Sequence, residues 1–228
     1  MSRLPRLAIG GRPHLIVQRG LQSQALFIDD EDRRTFLSKL AQAAAACRVA
    51  VHAYVLLDGE VQVLATPEDA SGLSRMMQSL GRTYVAGFNR RHGRSGTLWQ
   101  ARFRAAVVEA DSHLIACMRY VESRPAHAAH VEATDYPWSS AAHHIGRQRS
   151  ALITEHPMYW RLGNTPFERE ARYRSLLERA LTQKEMLEIE AAALKGWALG
   201  SERFVRELAQ ETDRRLRPLP RGRPAKQA

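Results

Sequence analysis

Lysine is almost missing from this chain: four lysines stand against thirty arginines. Cysteine is scarce too. Cys47 and Cys117 both fall in helix-like stretches, which excludes a disulfide-stapled fold and reads as two reduced core thiols. No window reaches the roughly 18 apolar residues of a membrane span. The longest apolar run, Val49–Leu57, is interrupted by His52. The opening MSRLPRLAIGGRPH lacks the apolar centre of a secretory leader, so a cytoplasmic protein with no membrane partner is expected. At 44% hydrophobic, the 228 residues hold enough apolar material to exclude wholesale disorder. The length fits one large domain, or a domain of roughly 150 residues with an appendage.

The net charge is +10, and the carboxylates are unevenly absent. Residues 70–108 hold seven arginines and no acid; residues 214–228 hold five arginines and one lysine, again with no acid. Arginine's planar fork donates in pairs to phosphate. A codon bias toward arginine would raise its count but not cluster it. The clustering points to a polyanion, most simply nucleic acid.

Along the chain, HLIVQR (14–19) reads as a strand. Asp29-Asp30-Glu31-Asp32 opens a helix, where acids suit the positive end, and that helix runs to about Cys47. VAVHAYVLL (49–57), the Asp58-Gly59 turn and EVQVLA (60–65) form a hairpin. A helix over 70–91 carries Leu73, Met76, Met77, Leu80, Tyr84 and Phe88 at helical spacing, a stripe that reads as core. After the basic RRHGRSG loop, 103–109 reads as a fourth strand and 112–123 as a helix stopping before Pro125. This order predicts an α+β fold: a ferredoxin-like antiparallel sheet with flanking helices. The expected divisions are 1–145 for that domain, 146–215 for a helical extension (helices near 166–181, 182–195 and 200–215), and 216–228 for a basic, disordered tail.

Several motifs stand in a telling order: Gln18-Arg19-Gly20, the Asp30–Arg34 helix start, His52-Ala53-Tyr54-Val55-Leu56, Phe88-Asn89, Gly96-Thr97-Leu98-Trp99-Gln100-Ala101-Arg102-Phe103, Arg119-Tyr120-Val121-Glu122 and Tyr136-Pro137-Trp138-Ser139-Ser140. Gly200-Ser201 with Phe204 and a closing Arg-Gly-Arg-Pro complete the set. Over nearly its whole length the chain resembles the REP-associated tyrosine transposases, a branch of the single-tyrosine HUH family. The resemblance implies Tyr-mediated cleavage and rejoining of single strands at hairpins of repetitive palindromes. Two strand histidines flanking an apolar residue would hold Mg²⁺ or Mn²⁺, since residues i and i+2 share a face. The nucleophile position is Tyr120, which would store the phosphodiester as phosphotyrosine.

Both histidines are missing. Where the family has Asn, His, apolar, His, this chain reads Gly59-Glu60-Val61-Gln62. Four residues after the tyrosine, where the family usually places an amide, stands Arg124, and a fixed cation repels a divalent ion. Glu60, Gln62 and Arg124 are thus the degenerate metal-site positions, and a Glu60–Arg124 ion pair is the expected replacement, with no metal or cofactor. Two functions follow. One is a DNA-binding protein on a transposase fold with cleavage weakened or lost. The alternative is an active single-strand endonuclease whose metal sits on non-histidine ligands, carboxylate oxygen being acceptable to hard cations.

The expected DNA contacts are Arg90, Arg91, Arg94, Arg102 and Arg104, with Arg221 and Arg223 in Pro220–Pro224, an AT-hook-like segment suited to a narrow A·T minor groove. Trp99 reads as core or as a base-stacking platform. His143-His144 and His127/His130 lack a metal-ligand pattern. A monomer or a homodimer is equally compatible with the sequence.

Overall fold

A computed structural model describes residues 6–21, 24–128 and 131–218. The elements are β1 (His14–Arg19), α1 (Asp30–Ala46), β2 (Val49–Leu57), β3 (Glu60–Pro67), α2 (Gly72–Arg91), β4 (Arg104–Val107), α3 (Ala110–Glu122), α4 (Arg124–Ala128), α5 (Ala141–His144), α6 (Pro157–Trp160), α7 (Pro166–Glu178), α8 (Gln183–Lys195) and α9 (Glu202–Glu211). The strands form one antiparallel sheet in the order β2-β3-β1-β4. This is the expected ferredoxin-like arrangement: each strand–helix–strand unit leaves a gap that a strand of the other unit fills.

The strand alternation sends side chains to two faces. On one face Ile16, Tyr54, Val61 and Val63 pack against α1 and α2, around an edge-to-face Phe36–Tyr84 pair at 5.0 Å. On the other, Leu15, Val17, Val55 and Leu64 pack against α3 together with Tyr173, Leu177, Ile189 and Ala192 of α7 and α8. The helices of the extension therefore complete the same core as the sheet. A smaller cluster of Val107, Phe204, Leu208 and Leu216 seats α9 beside β4. Cys47 and Cys117 are buried free thiols.

Local signals explain the boundaries. The Asp29 side chain accepts from Asp32 N and starts α1; Thr165 and Thr182 each close a capping box at α7 and α8. Gly196, at φ 70°, ends α8 in the left-handed conformation. The fourth strand is shorter than its apolar run, because the backbone beyond Val107 turns to bridge Leu199. The turn-rich 135–165 segment holds two single-turn helices, α5 and α6. His52 falls at a register shift in β2 and is buried there, its ring nitrogens on Thr154 O and Thr66 Oγ1, both at 2.8 Å. Burial lowers its pKa to about 4, so the ring that interrupts the apolar strand is neutral. Among the described residues no helix is long and apolar enough to cross a membrane.

Candidate functional site

Glu60 and Gln62 lie two residues apart at the start of β3, on the face that packs against α3, and the neighbouring strand supplies the group opposite them. Arg19 at the end of β1 is the register partner of Glu60. Arg19 Nε donates to Glu60 Oε2 at 2.5 Å, and Gln62 Nε2 donates to Glu60 Oε1 at 2.6 Å. Arg124 Nη2 stands 3.9 Å from Glu60 Oε1, the outer limit of pairing. The expected Glu60–Arg124 pair is thus present only as a secondary contact, and the principal cation is Arg19. A charge-assisted bond at hydrogen-bonding distance outweighs a 3.9 Å approach between side chains with some access to solvent.

Tyr120 lies on α3 beneath this cluster, 4% exposed, with the Arg124 guanidinium 5.6 Å from its ring centre. Its hydroxyl pKa is raised, chiefly by burial, with Arg124 opposing and Glu190 and Glu60 adding to the rise. A raised pKa makes phenolate scarcer. A cleft of about 630 Å³ opens beside Glu60 and Arg124, walled by Arg33, Tyr136 and Trp138; Tyr120 does not line it.

The helix bearing Tyr120 is anchored from behind. Glu122 is fully buried. Its Oε1 accepts from Ser140 Oγ and contacts His144 Nδ1 at 2.7 Å, and its Oε2 accepts from Tyr173 OH at 2.6 Å. His144 is thereby occupied within the protein, as is His143, whose Nδ1 accepts from Ser150 N.

The donor set does not fit a divalent cation. Both Glu60 oxygens already accept from N–H donors, Arg19 and Arg124 bring two fixed positive charges, and only Gln62 Oε1, buried without a partner, remains as a ligand. No group of three His, Cys, Asp or Glu side chains is placed for a metal among the described residues.

The arginines expected to meet DNA divide sharply. Arg91 is consumed internally. It bonds Asp29 at 2.6 and 2.7 Å, Asp32 at 2.6 Å and Glu31 at 3.0 Å, holding the end of α2 to the start of α1. In this structure it is held by carboxylates rather than presented to a ligand. Arg94 donates to Gln24 Oε1 at 2.7 Å, and Arg104 donates to the Leu194 carbonyl. Arg90 and Arg102 are exposed and have no partner among the described residues. Arg221 and Arg223 lie outside the described residues. Trp99 is half-buried, tilted 30° against Tyr84 at 6.4 Å. The residues that sequence reasoning missed are Arg19, quoted only as part of a motif, and Arg82, exposed on α2 and unpartnered among the described residues.

No protein-family model matches this chain, and no curated protein does. Among solved structures, it is similar to a REP-associated tyrosine transposase bound to a REP hairpin. That match has 16% identity and a TM-score of 0.55, and covers 68% of this chain and 92% of that one. The two share a fold. A candidate transposase from Deinococcus radiodurans R1 matches at 19% identity over 51% of this chain and 91% of that one, with a TM-score of 0.37, too low to carry an argument.

Proposed function

We propose that this protein is a transposase-like DNA-binding protein that holds hairpin or single-stranded DNA and cleaves it weakly or not at all. The observation that carries the reading is the Arg19–Glu60–Gln62 cluster at the degenerate metal positions, above a buried Tyr120. The shared fold and the hairpin bound by the structural neighbour support DNA as partner. So do the unpaired arginines of the acid-free 70–108 stretch. Loss of metal ligands removes the charge that would stabilise a cleaving transition state. It leaves phosphate neutralisation, which dominates affinity, in place.

The test is a labelled palindromic hairpin incubated with the protein and Mg²⁺ or Mn²⁺. The expected result is salt-dependent binding, with neither nicking nor a covalent protein–DNA adduct. Metal-dependent nicking that Tyr120→Phe abolishes would establish an active endonuclease instead. Binding no stronger than to heparin would remove DNA as the specific partner.

A further inference from the structure

The family's metal position is filled here by fixed charges, and they have a covered end and an open end. Glu60 is the covered one: its side chain is 12% exposed, against 43% for Arg19. Both of its oxygens are taken, Oε2 by Arg19 Nε and Oε1 by Gln62 Nε2. Arg19 is held by that one nitrogen, and its two Nη groups have no partner among the described residues. A guanidinium anchored at Nε has already given up much of its rotamer freedom, yet it keeps a free edge of N–H donors.

Arg19 lines a cleft of about 540 Å³ where the end of β1, the start of β4 and the last turn of α8 meet. Arg102, Arg104 and Lys195 line it too, and no carboxylate does. The register explains the gathering. Val17 of β1 is the partner of Arg104 on β4, so Arg104 projects from the same face as Val17 and Arg19. Arg104 then donates to the Leu194 carbonyl at the end of α8, where a helix has acceptors to spare and favours a cation. Lys195 is exposed and, like Arg102, has no partner among the described residues.

The cleft on the other side of Glu60 differs. Asp58 and Glu60 are in its walls, and its Arg33 is paired with Asp58 at 2.5 Å. An anion is therefore favoured on the Arg19 side. A planar fork flanked by further cations, with no acid beside it, suits a tetrahedral oxyanion that offers two oxygens to the fork, as a phosphodiester does.

We propose that the family's metal position has become a metal-free phosphate site. Glu60 and Gln62 hold Arg19 in place, and its Nη edge, with Lys195 and Arg102, takes one phosphodiester of the bound DNA. Arg104 adds charge from the wall. Glu60 is a positioning residue here and does not touch the ligand. This rests on DNA being the partner. It gives the altered motif a binding role of its own and brings Lys195 into the site.

Scanning with neutral phosphates tests it. Full-length protein is titrated with a palindromic hairpin carrying a single-stranded tail, in Mg²⁺ and in EDTA. Each phosphodiester is replaced in turn by an uncharged methylphosphonate. One position should weaken wild-type binding about tenfold, the worth of one charge-assisted contact, and equally in both media. Arg19→Ala should bind the unmodified DNA about tenfold less well and lose the sensitivity at that position. Because Arg19→Ala also strips Glu60 of its main cation, the exposed Lys195→Ala serves as a second variant. It should keep the wild-type urea midpoint, weaken binding about two- to fivefold and blunt that same position. Glu60→Ala separates positioning from net charge: loss of a carboxylate alone would tighten binding, whereas a released Arg19 should weaken it.

A wild type with no sensitive position overturns the proposal. So does full sensitivity retained in both Arg19→Ala and Lys195→Ala, or sensitivity that appears only with Mg²⁺. Tighter binding by Glu60→Ala overturns it as well. Displacement of the DNA by inorganic phosphate at matched ionic strength, abolished in Lys195→Ala, would give the cleft to a free anion instead. DNA binding without a sensitive phosphate sinks this site and leaves the DNA reading standing; if no DNA binds, both fall.

Discussion

The two faces of the sheet contrast in how their charged groups are paired. On the α3 face, Glu60 has its donors, Glu122 has three partners, and Tyr120 is buried between them. On the α2 face, a large groove keeps unpaired cations at Arg82 and Arg102. Paired charges fix structure; exposed cations without a partner are open to an anion. The face that carries Tyr120 thus has its charges paired, and the face that carries the acid-free 70–108 stretch leaves Arg82 and Arg102 unpaired among the described residues.

The sharpest way to break this contrast is at Glu122. Glu122→Ala removes the acceptor shared by Ser140, His144 and Tyr173 and leaves all three buried without it. A loss of about 3–5 kcal/mol is expected from breaking such a buried charged network, read as a lower urea midpoint. A loss below about 1 kcal/mol would show that the α3 face is not held by its polar network. It would also remove the argument that Tyr120 is rigidly placed.

The next test separates the two cations at Glu60. Double-mutant cycles should give a coupling of about 1–2 kcal/mol for Arg19–Glu60, a charge-assisted bond on a side chain still 43% exposed. For Arg124–Glu60, at 3.9 Å, the coupling should stay below about 0.5 kcal/mol. A reversed order would make Arg124 the principal partner of Glu60.

That pair also shows where reading the sequence reached and where it stopped. The period-2 runs, the Asp58-Gly59 turn and the Asp29 cap were local, so the strands and α1 were legible within a residue or two. Alternation put Glu60 and Gln62 on one face; Arg124 lies past the end of α3, at the start of α4, and reaches the Tyr120 ring from there. Arg19 was within reach: its strand alternates Leu15, Val17, Arg19 toward the α3 face. Recognising it needed the strand order, which places β1 antiparallel beside β3 and so sets Arg19 opposite Glu60. Arg91 misled for the same reason in reverse. The acids that start α1 explain that helix locally. That they also capture an arginine from the end of α2 is a tertiary fact.

The smallest effect decides the arginines individually. Arg91→Ala should lower the urea midpoint, because Asp29, Glu31 and Asp32 lose a shared cation at one helix start. It should leave affinity for a tailed hairpin nearly unchanged. Arg82→Ala and Arg102→Ala, at exposed side chains with no partner to lose, should leave the midpoint unchanged. Each should weaken tailed binding about two- to fivefold and lower the slope of log affinity against log salt by about one, the signature of one phosphate contact. If Arg91→Ala instead lowers that slope by about one while Arg82→Ala does not, the carboxylate cluster opens on binding and gives its arginine to the DNA. The division between structural and ligand-facing cations then fails at the residue where it is most clearly drawn.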